Sequence, residues 1–224
     1  AGIIKPETAV IIGETDQVTL PVFRLFAEKM NAPMTIADQL YRFESVEDDP
    51  ELIFHVLEQR GNETFKLLKN FSCPLGAAYQ KKNILTAIAS LTHLPSSLEV
   101  SEAHIRKGLK NVIANTGMQG RWQKLAENSL VICDTGHNEV GIQWIVRQLE
   151  ATPHQNLHMV LGMVNDKDID SMLVLLPKDA TYYFCKPNIP RGLDPDLLKR
   201  RASFYKLKGK TYPSVNLAFE HAVS

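Results

Sequence analysis

The chain of 224 residues is long enough for one large domain or two small ones, and with 44% hydrophobic and 22% charged residues it has the balance of a globular protein. Lysine plus arginine equals aspartate plus glutamate at 25 each, so no charge excess points to nucleic acid or an anionic membrane as a partner. No apolar run is long enough to cross a bilayer and no cationic, apolar leader opens the chain, which gives the expectation of a cytoplasmic protein.

Two kinds of pattern follow in chain order. Ala9 to Gly13 is a short apolar run ending on glycine and reads as a strand. Val18 to Met30 carries Val22, Phe23, Phe26, Ala27 and Met30 at helical spacing, and Pro33 ends it. Leu52 to Gln59 and Thr64 to Leu68 flank the turn dipeptide Gly61-Asn62, so a β-hairpin is expected. Ala77 to Leu91 reads as a helix, and so does Ser101 to Ile113. Ser101 is a suitable N-cap, but His104 stands where a capping box would have Glu or Gln, so no box is expected. Asn115 to Gly120 is small, polar and glycine-containing, and reads as a linker. The domains expected are therefore 1–116 and 117–224.

Beyond Gly117 the pattern alternates strand and helix. Leu130–Cys133, His158–Gly162 and Thr181–Cys185 read as strands; Val140–Leu149, Ile169–Leu176, Pro195–Ala202 and Val215–Ala222 read as helices. The strands are apolar with little alternation, which suits a parallel sheet covered on both faces. Cys73, Cys133 and Cys185 form an odd set without CxxC spacing and read as buried, reduced thiols rather than zinc ligands.

Chemistry concentrates where the Leu130–Cys133 run stops. Asp134, Thr135, Gly136, His137 and Asn138 make a strand–turn–helix junction, the place where open α/β sheets bind ligands. Asp134 could accept from a ribose hydroxyl or simply cap the next helix. His137 and Asn138 lie at a helix start that favours an anion, although Asn138 could equally be its cap. Arg121 follows Gly120, and its planar fork of donors matches phosphate oxygens. Asn83 follows Tyr79-Gln80-Lys81-Lys82 on a helix of small residues, where its amide can reach an adenine edge or a phosphate. Asp166 and Asp168 could bind a metal, but a helix cap with acids in its first turn explains them more simply, so no metal site is assigned. Arg191, in Pro190-Arg191-Gly192, either lines the same sheet edge or is structural.

These motifs, in order, resemble the folylpolyglutamate synthase/dihydrofolate synthase family of Mur-type ligases. Ala1 to Pro6 is similar to the segment after the family's Glu-Lys pair, and Tyr79-Gln80-Lys81-Lys82-Asn83 to its Tyr-Gln-x-x-Asn. Gly120-Arg121 resembles its Pro-Gly-Arg linker, Asp134 to Asn138 its Asp-Gly-Ala-His-Asn motif, and Gly162 to Asp168 its Gly-x-x-x-Asp-Lys-Asp loop. The resemblance implies an α/β fold: part of a Mur-ligase-like central domain, then a Rossmann-like C-terminal domain with a mainly parallel sheet. It implies ATP and Mg²⁺ as cofactors, with Asn83, Arg121 and Asp134 as ATP contacts and Arg121 and His137 as catalytic residues. The substrates implied are folate or dihydropteroate and L-glutamate, joined through an acyl phosphate, in a protein that is a monomer when full length. A hinge near Gly117 would accompany nucleotide binding.

The chain departs from the family in places. Gln119 replaces proline, Thr135-Gly136 replaces Gly-Ala, and Glu139 replaces a common proline. No GxxxxGK[ST] phosphate loop occurs, so the expectation is a fragment that is inactive alone. The alternatives are another Mur-type amino-acid ligase of cell-wall synthesis and a non-catalytic nucleotide-binding module.

Overall fold

The computed structural model describes residues 2–45, 53–75, 79–127, 129–165 and 168–224. These fall into two compact units, Ala1–Gln123 and Lys124–Ser224. Leu52, Ala77 and Ala78 at the start of the expected 77–91 helix, Asp166 and Lys167 lie outside the described residues.

The first unit opens with β1 (Val10–Ile12), α1 (Leu20–Lys29) and β2 (Met34–Ile36). The strands pair in parallel, Val10 opposite Met34, with α1 as the crossover. The Asp16 carboxylate accepts from the Val18 and Thr19 backbone N–H groups and closes the turn before α1. A short α2 (Ala37–Leu40) leads into β3 (Tyr41–Ser45), β4 (Ile53–Arg60) and β5 (Glu63–Ser72). These form an antiparallel sheet in the order β3-β4-β5. Gly61 adopts φ +60° in the turn, between the paired residues Arg60 and Glu63, which gives the expected hairpin. Asn70, with φ +49°, interrupts the register, and its N–H donates to His55 Nδ1 at 3.0 Å.

Helix α3 (Gln80–Leu91) places Ile84, Leu85, Ile88 and Ala89 in a core with Phe54, Val56, Leu68 and Phe71 of the hairpin. The expected 101–113 helix is two, α4 (Glu102–Lys110) and α5 (Val112–Thr116). Asn111 divides them, because its Nδ2 bonds back to the Lys107 carbonyl at 2.9 Å. Contrary to expectation, α4 does carry a capping box. The His104 N–H donates to Ser101 Oγ at 3.3 Å, and the Ser101 N–H donates to His104 Nδ1 at 3.2 Å. An imidazole lone pair does the work of the usual carboxylate. Asn115 and Thr116, read as linker, close α5, which ends at Gly117 with φ +64°.

Strand β6 (Gln123–Ala126), which begins on the last residue of the first unit, pairs with β7 (Val131–Cys133) of the second. They are followed by α6 (Glu139–Glu150), β8 (His158–Leu161), α7 (Ile169–Leu173), β9 (Thr181–Cys185), α8 (Pro195–Phe204), β10 (Lys208–Tyr212) and α9 (Val215–Val223). Strands β8, β9 and β10 form a parallel sheet in the order β10-β9-β8. Among the described residues β7 belongs to the β6–β7 pair and not to this sheet. The core gathers Tyr182 and Phe184 of the central strand with Leu173, Leu193, Leu198 and Ala202, all at 2% exposure or less. No helix among the described residues is long and apolar enough to cross a membrane.

One ion pair in this unit sets a pH dependence. Arg201 donates to Asp170 through Nη2 at 2.6 Å, and this bond holds the Asp170 carboxyl below its ordinary value of 3.8. A lowered folded value means stability present above the unfolded value and lost as pH falls through the folded one. The margin of the natural chain over Asp170→Asn in urea unfolding is therefore expected at neutral pH and shrinks once pH drops below 3.8. An unchanged margin at pH 3 would contradict it.

Candidate functional site

The turn after β7 is built from its own side chains. Asp134 Oδ1 accepts from the Gly136 N–H at 2.8 Å and folds the chain back toward α6. A Cβ at Gly136 would meet the end of the Ile145 side chain, so the turn lies close on α6. Asn138 Oδ1 accepts from the Gly141 N–H at 2.7 Å, which settles Asn138 as the cap of α6. Between them His137 is exposed, with Nδ1 3.1 Å from the Thr135 carbonyl oxygen. A carbonyl only accepts, so Nδ1 carries the proton and Nε2 of the neutral ring is the basic nitrogen.

His137, Asn138 and Glu139 line an open depression of about 270 Å³ with Asp168, Ser171 and Met172. Asp168 caps α7 by accepting from the Ser171 N–H at 3.4 Å, the simpler of its two expected roles. Among the described residues no group of three or more His, Cys, Asp or Glu could hold a metal. Ser171 and Met172 carried no sequence signal, because only the fold brings the start of α7 beside the start of α6. Arg191 lies in the loop after β9, where its carbonyl accepts from the Asn165 N–H at 2.9 Å and Gly192 bridges to Val164.

Arg121 and Asn83 belong to the first unit. Arg121 is half-buried and flanked by two residues in the left-handed region, Gly120 at φ +66° and Trp122 at φ +52°. The Gly120 N–H donates to Gln123 Oε1 at 2.9 Å, and Trp122 is 9% exposed. A bulky residue at positive φ is strained, and burial of the indole holds it there. Asn83 is exposed on α3, and its Nδ2 donates to Oε1 of buried Gln80 at 3.0 Å. Beside it, Lys82 pairs with Glu14 of the loop after β1. A Cβ on Gly13 of that loop would lie 2.5 Å from Thr86 Oγ1, so the loop backbone abuts α3.

The structure thus places Asp134 and His137 in one turn of the second unit, and Asn83 and Arg121 on separate elements of the first. None of them lines the larger depression of about 570 Å³, which lies between α1 and β2 around Arg24, Asn31 and Met34. The three cysteines are unpaired. Burial pushes the Cys185 thiol up to about 11 and raises that of Cys73, so neither is a ready nucleophile.

Residues 120–224 match the family described as Mur ligase, glutamate ligase domain. Over its whole length the chain is 29% identical to the dihydrofolate synthase/folylpolyglutamate synthase of Escherichia coli K12, of which it covers 48%. It is 26% identical to the folylpolyglutamate synthase of Lacticaseibacillus casei, over 86% of this chain and 44% of that protein. Among solved structures, E. coli FolC in complex with DHPP and ADP superposes with a TM-score of 0.77 at 26% identity, covering 99% of this chain and 48% of that one. A bifunctional folylpolyglutamate synthase/dihydrofolate synthase, solved with Mn, AMPPNP and L-glutamate bound, has the same fold at 24% identity and a TM-score of 0.75. The chain spans about half the length of the curated relatives it matches.

Proposed function

We propose that the chain is part of an ATP-dependent ligase adding L-glutamate to a folate or to dihydropteroate: residues 120–224 match the Mur ligase, glutamate ligase domain, and the whole chain is similar to a dihydrofolate synthase/folylpolyglutamate synthase. The observation that carries the reading is the turn Asp134–Asn138, where a carboxylate, an imidazole and a capped helix start are held together inside the matched domain.

The residues suit a nucleotide. Asn83, Arg121 and Asp134 are the proposed ATP contacts: an amide for the base, a guanidinium for the phosphates and a carboxylate for the ribose. Mg²⁺ is the proposed metal, and no side-chain ligand for it is assigned among the described residues. ATP supplies a phosphoryl group that turns the substrate carboxylate into an acyl phosphate. Arg121 stabilises negative charge on the transferred group. His137 Nε2 is basic while Nδ1–H is tied to Thr135, so it can take a proton from the incoming glutamate ammonium. Attack of the freed amine gives a tetrahedral intermediate, which expels phosphate and leaves an amide. Positioning supplies most of the gain. The domain limits 1–116 and 117–224, a cytoplasmic location and a monomeric state are parts of the same proposal.

The test is ADP release by the full-length chain. Release is expected only when ATP, glutamate and a folate or dihydropteroate are all present. Release driven instead by a UDP-linked cell-wall precursor would overturn the folate reading. The 224-residue chain alone is expected to release none, because it has no phosphate loop.

A further inference from the structure

Gln80 is the buried polar side chain of the described core, at 5% exposure, and it lies one helical turn before exposed Asn83. Asn83 Nδ2 donates to Gln80 Oε1 at 3.0 Å. A carboxamide has two N–H groups and one carbonyl oxygen. With one N–H given inward, Asn83 turns its carbonyl oxygen and its second N–H away from Gln80, an acceptor beside a donor.

The geometry points to Gln80 as a positioning residue: it fixes the Asn83 amide so that the proposed nucleotide site selects a purine with an amino group at C6 over one with a carbonyl there. This rests on the reading of Asn83 as an ATP contact. An acceptor beside a donor matches the C6 amino group and N7 of adenine, the pairing asparagine makes with that base edge. Hypoxanthine offers acceptors at both places, so a fixed amide meets its C6 oxygen with its own carbonyl oxygen. An amide free to rotate would turn its nitrogen to that oxygen and accept the wrong base. The loop after β1 is held against the same helix. Glu14 pairs with Lys82, Gly13 abuts Thr86, and Asp38 holds the same loop by accepting from the Thr15 N–H at 2.6 Å. Gln80 fixes the remaining freedom of the Asn83 amide.

The experiment compares kcat/KM for ATP and for ITP, which carries the C6 carbonyl, in the full-length chain. The natural enzyme is expected to favour ATP by about tenfold or more, since a site built to hydrogen-bond one group rejects its mismatch. Gln80→Met removes the acceptor at similar volume and is expected to shrink that preference about three- to tenfold, chiefly through a lower KM for ITP. Gln80→Glu keeps an oxygen for Nδ2 and is expected to retain the preference. The ratio does not depend on how much of a variant is folded, so loss of stability does not obscure it. An unchanged ratio in Gln80→Met, with Asn83→Ala raising the KM for ATP, would overturn the role of Gln80 alone. An unchanged KM for ATP in Asn83→Ala would overturn the nucleotide placement and this role with it.

Discussion

Replacing Arg121 with alanine in the full-length chain is expected to lower kcat for ligation about 10²- to 10³-fold with the fold intact, the loss typical of removing one preorganised charge stabiliser. Three features support so large an effect. Arg121 is half-buried, and partial burial would strengthen the proposed interaction with phosphate. Its backbone lies between Gly120 and Trp122, both at positive φ, which fixes the path of the loop at Arg121. Burial of Trp122 keeps that strained conformation in place. Arg121→Lys keeps the charge but not the fork of donors and should recover only part of the rate. The loss should fall on kcat more than on the KM for the folate, because charge on the transferred group is greatest in the transition state. A kcat within about twofold of the natural enzyme would remove Arg121 from the mechanism, since a stabiliser worth less than that is no stabiliser.

The second large effect is structural. Gly209→Ala in β10 should destabilise the second unit by about 3 kcal/mol or more, as overpacking at an unyielding contact does. A Cβ there would land on the Tyr182 carbonyl group, 2.5 Å from its carbon, and Tyr182 is fully buried in the central strand. Neither backbone can give way without parting β9 from β10, which pair from Lys208–Thr181 to Tyr212–Cys185. Gly108→Ala in α4 is the matched control. Nothing lies within 4 Å of its Cβ position, so alanine should stabilise the helix by about 0.5–1 kcal/mol. Urea unfolding of the 224-residue chain measures both. A Gly209→Ala midpoint at or above that of the natural chain would show that the strand pairing is wrong.

Much of this architecture is legible in the sequence, for reasons that differ by element. The hairpin is marked by Gly61-Asn62, because a two-residue turn needs the positive φ that Gly61 adopts. Strands β8 and β9 are marked by apolar runs. Strand β10 is not, because Lys208-Gly209-Lys210-Thr211-Tyr212 sits at a sheet edge, where lysines are suited and apolar continuity is not required. The stretch Met34 to Ser45 changes from strand to helix to strand within a few residues, too quickly for either periodicity to register. The capping box was hidden because a histidine stands where the pattern names an acid or an amide.

For the candidate site, sequence proposes Asp134, His137, Asn83 and Arg121 but does not separate roles that share one residue type. Asn138 could cap or bind, and the bond from Gly141 shows it caps. Asp168 could ligate or cap, and it caps α7. Gln80 stands in the Tyr79-Gln80-Lys81-Lys82-Asn83 motif, but its burial at 5% beside an exposed amide is not revealed by spacing alone.

The central claim is that ATP activates a carboxylate for attack by glutamate. The full-length chain should therefore be supplied with ATP, glutamate and a dihydropteroate or folate whose terminal carboxylate carries heavy oxygen, and the released phosphate should be analysed by mass spectrometry. One labelled oxygen in phosphate for each amide formed is the result predicted, because an acyl phosphate passes the bridging carboxylate oxygen to phosphate when the amine displaces it. Amide formation with unlabelled phosphate, or ATP hydrolysis without amide, would contradict the account.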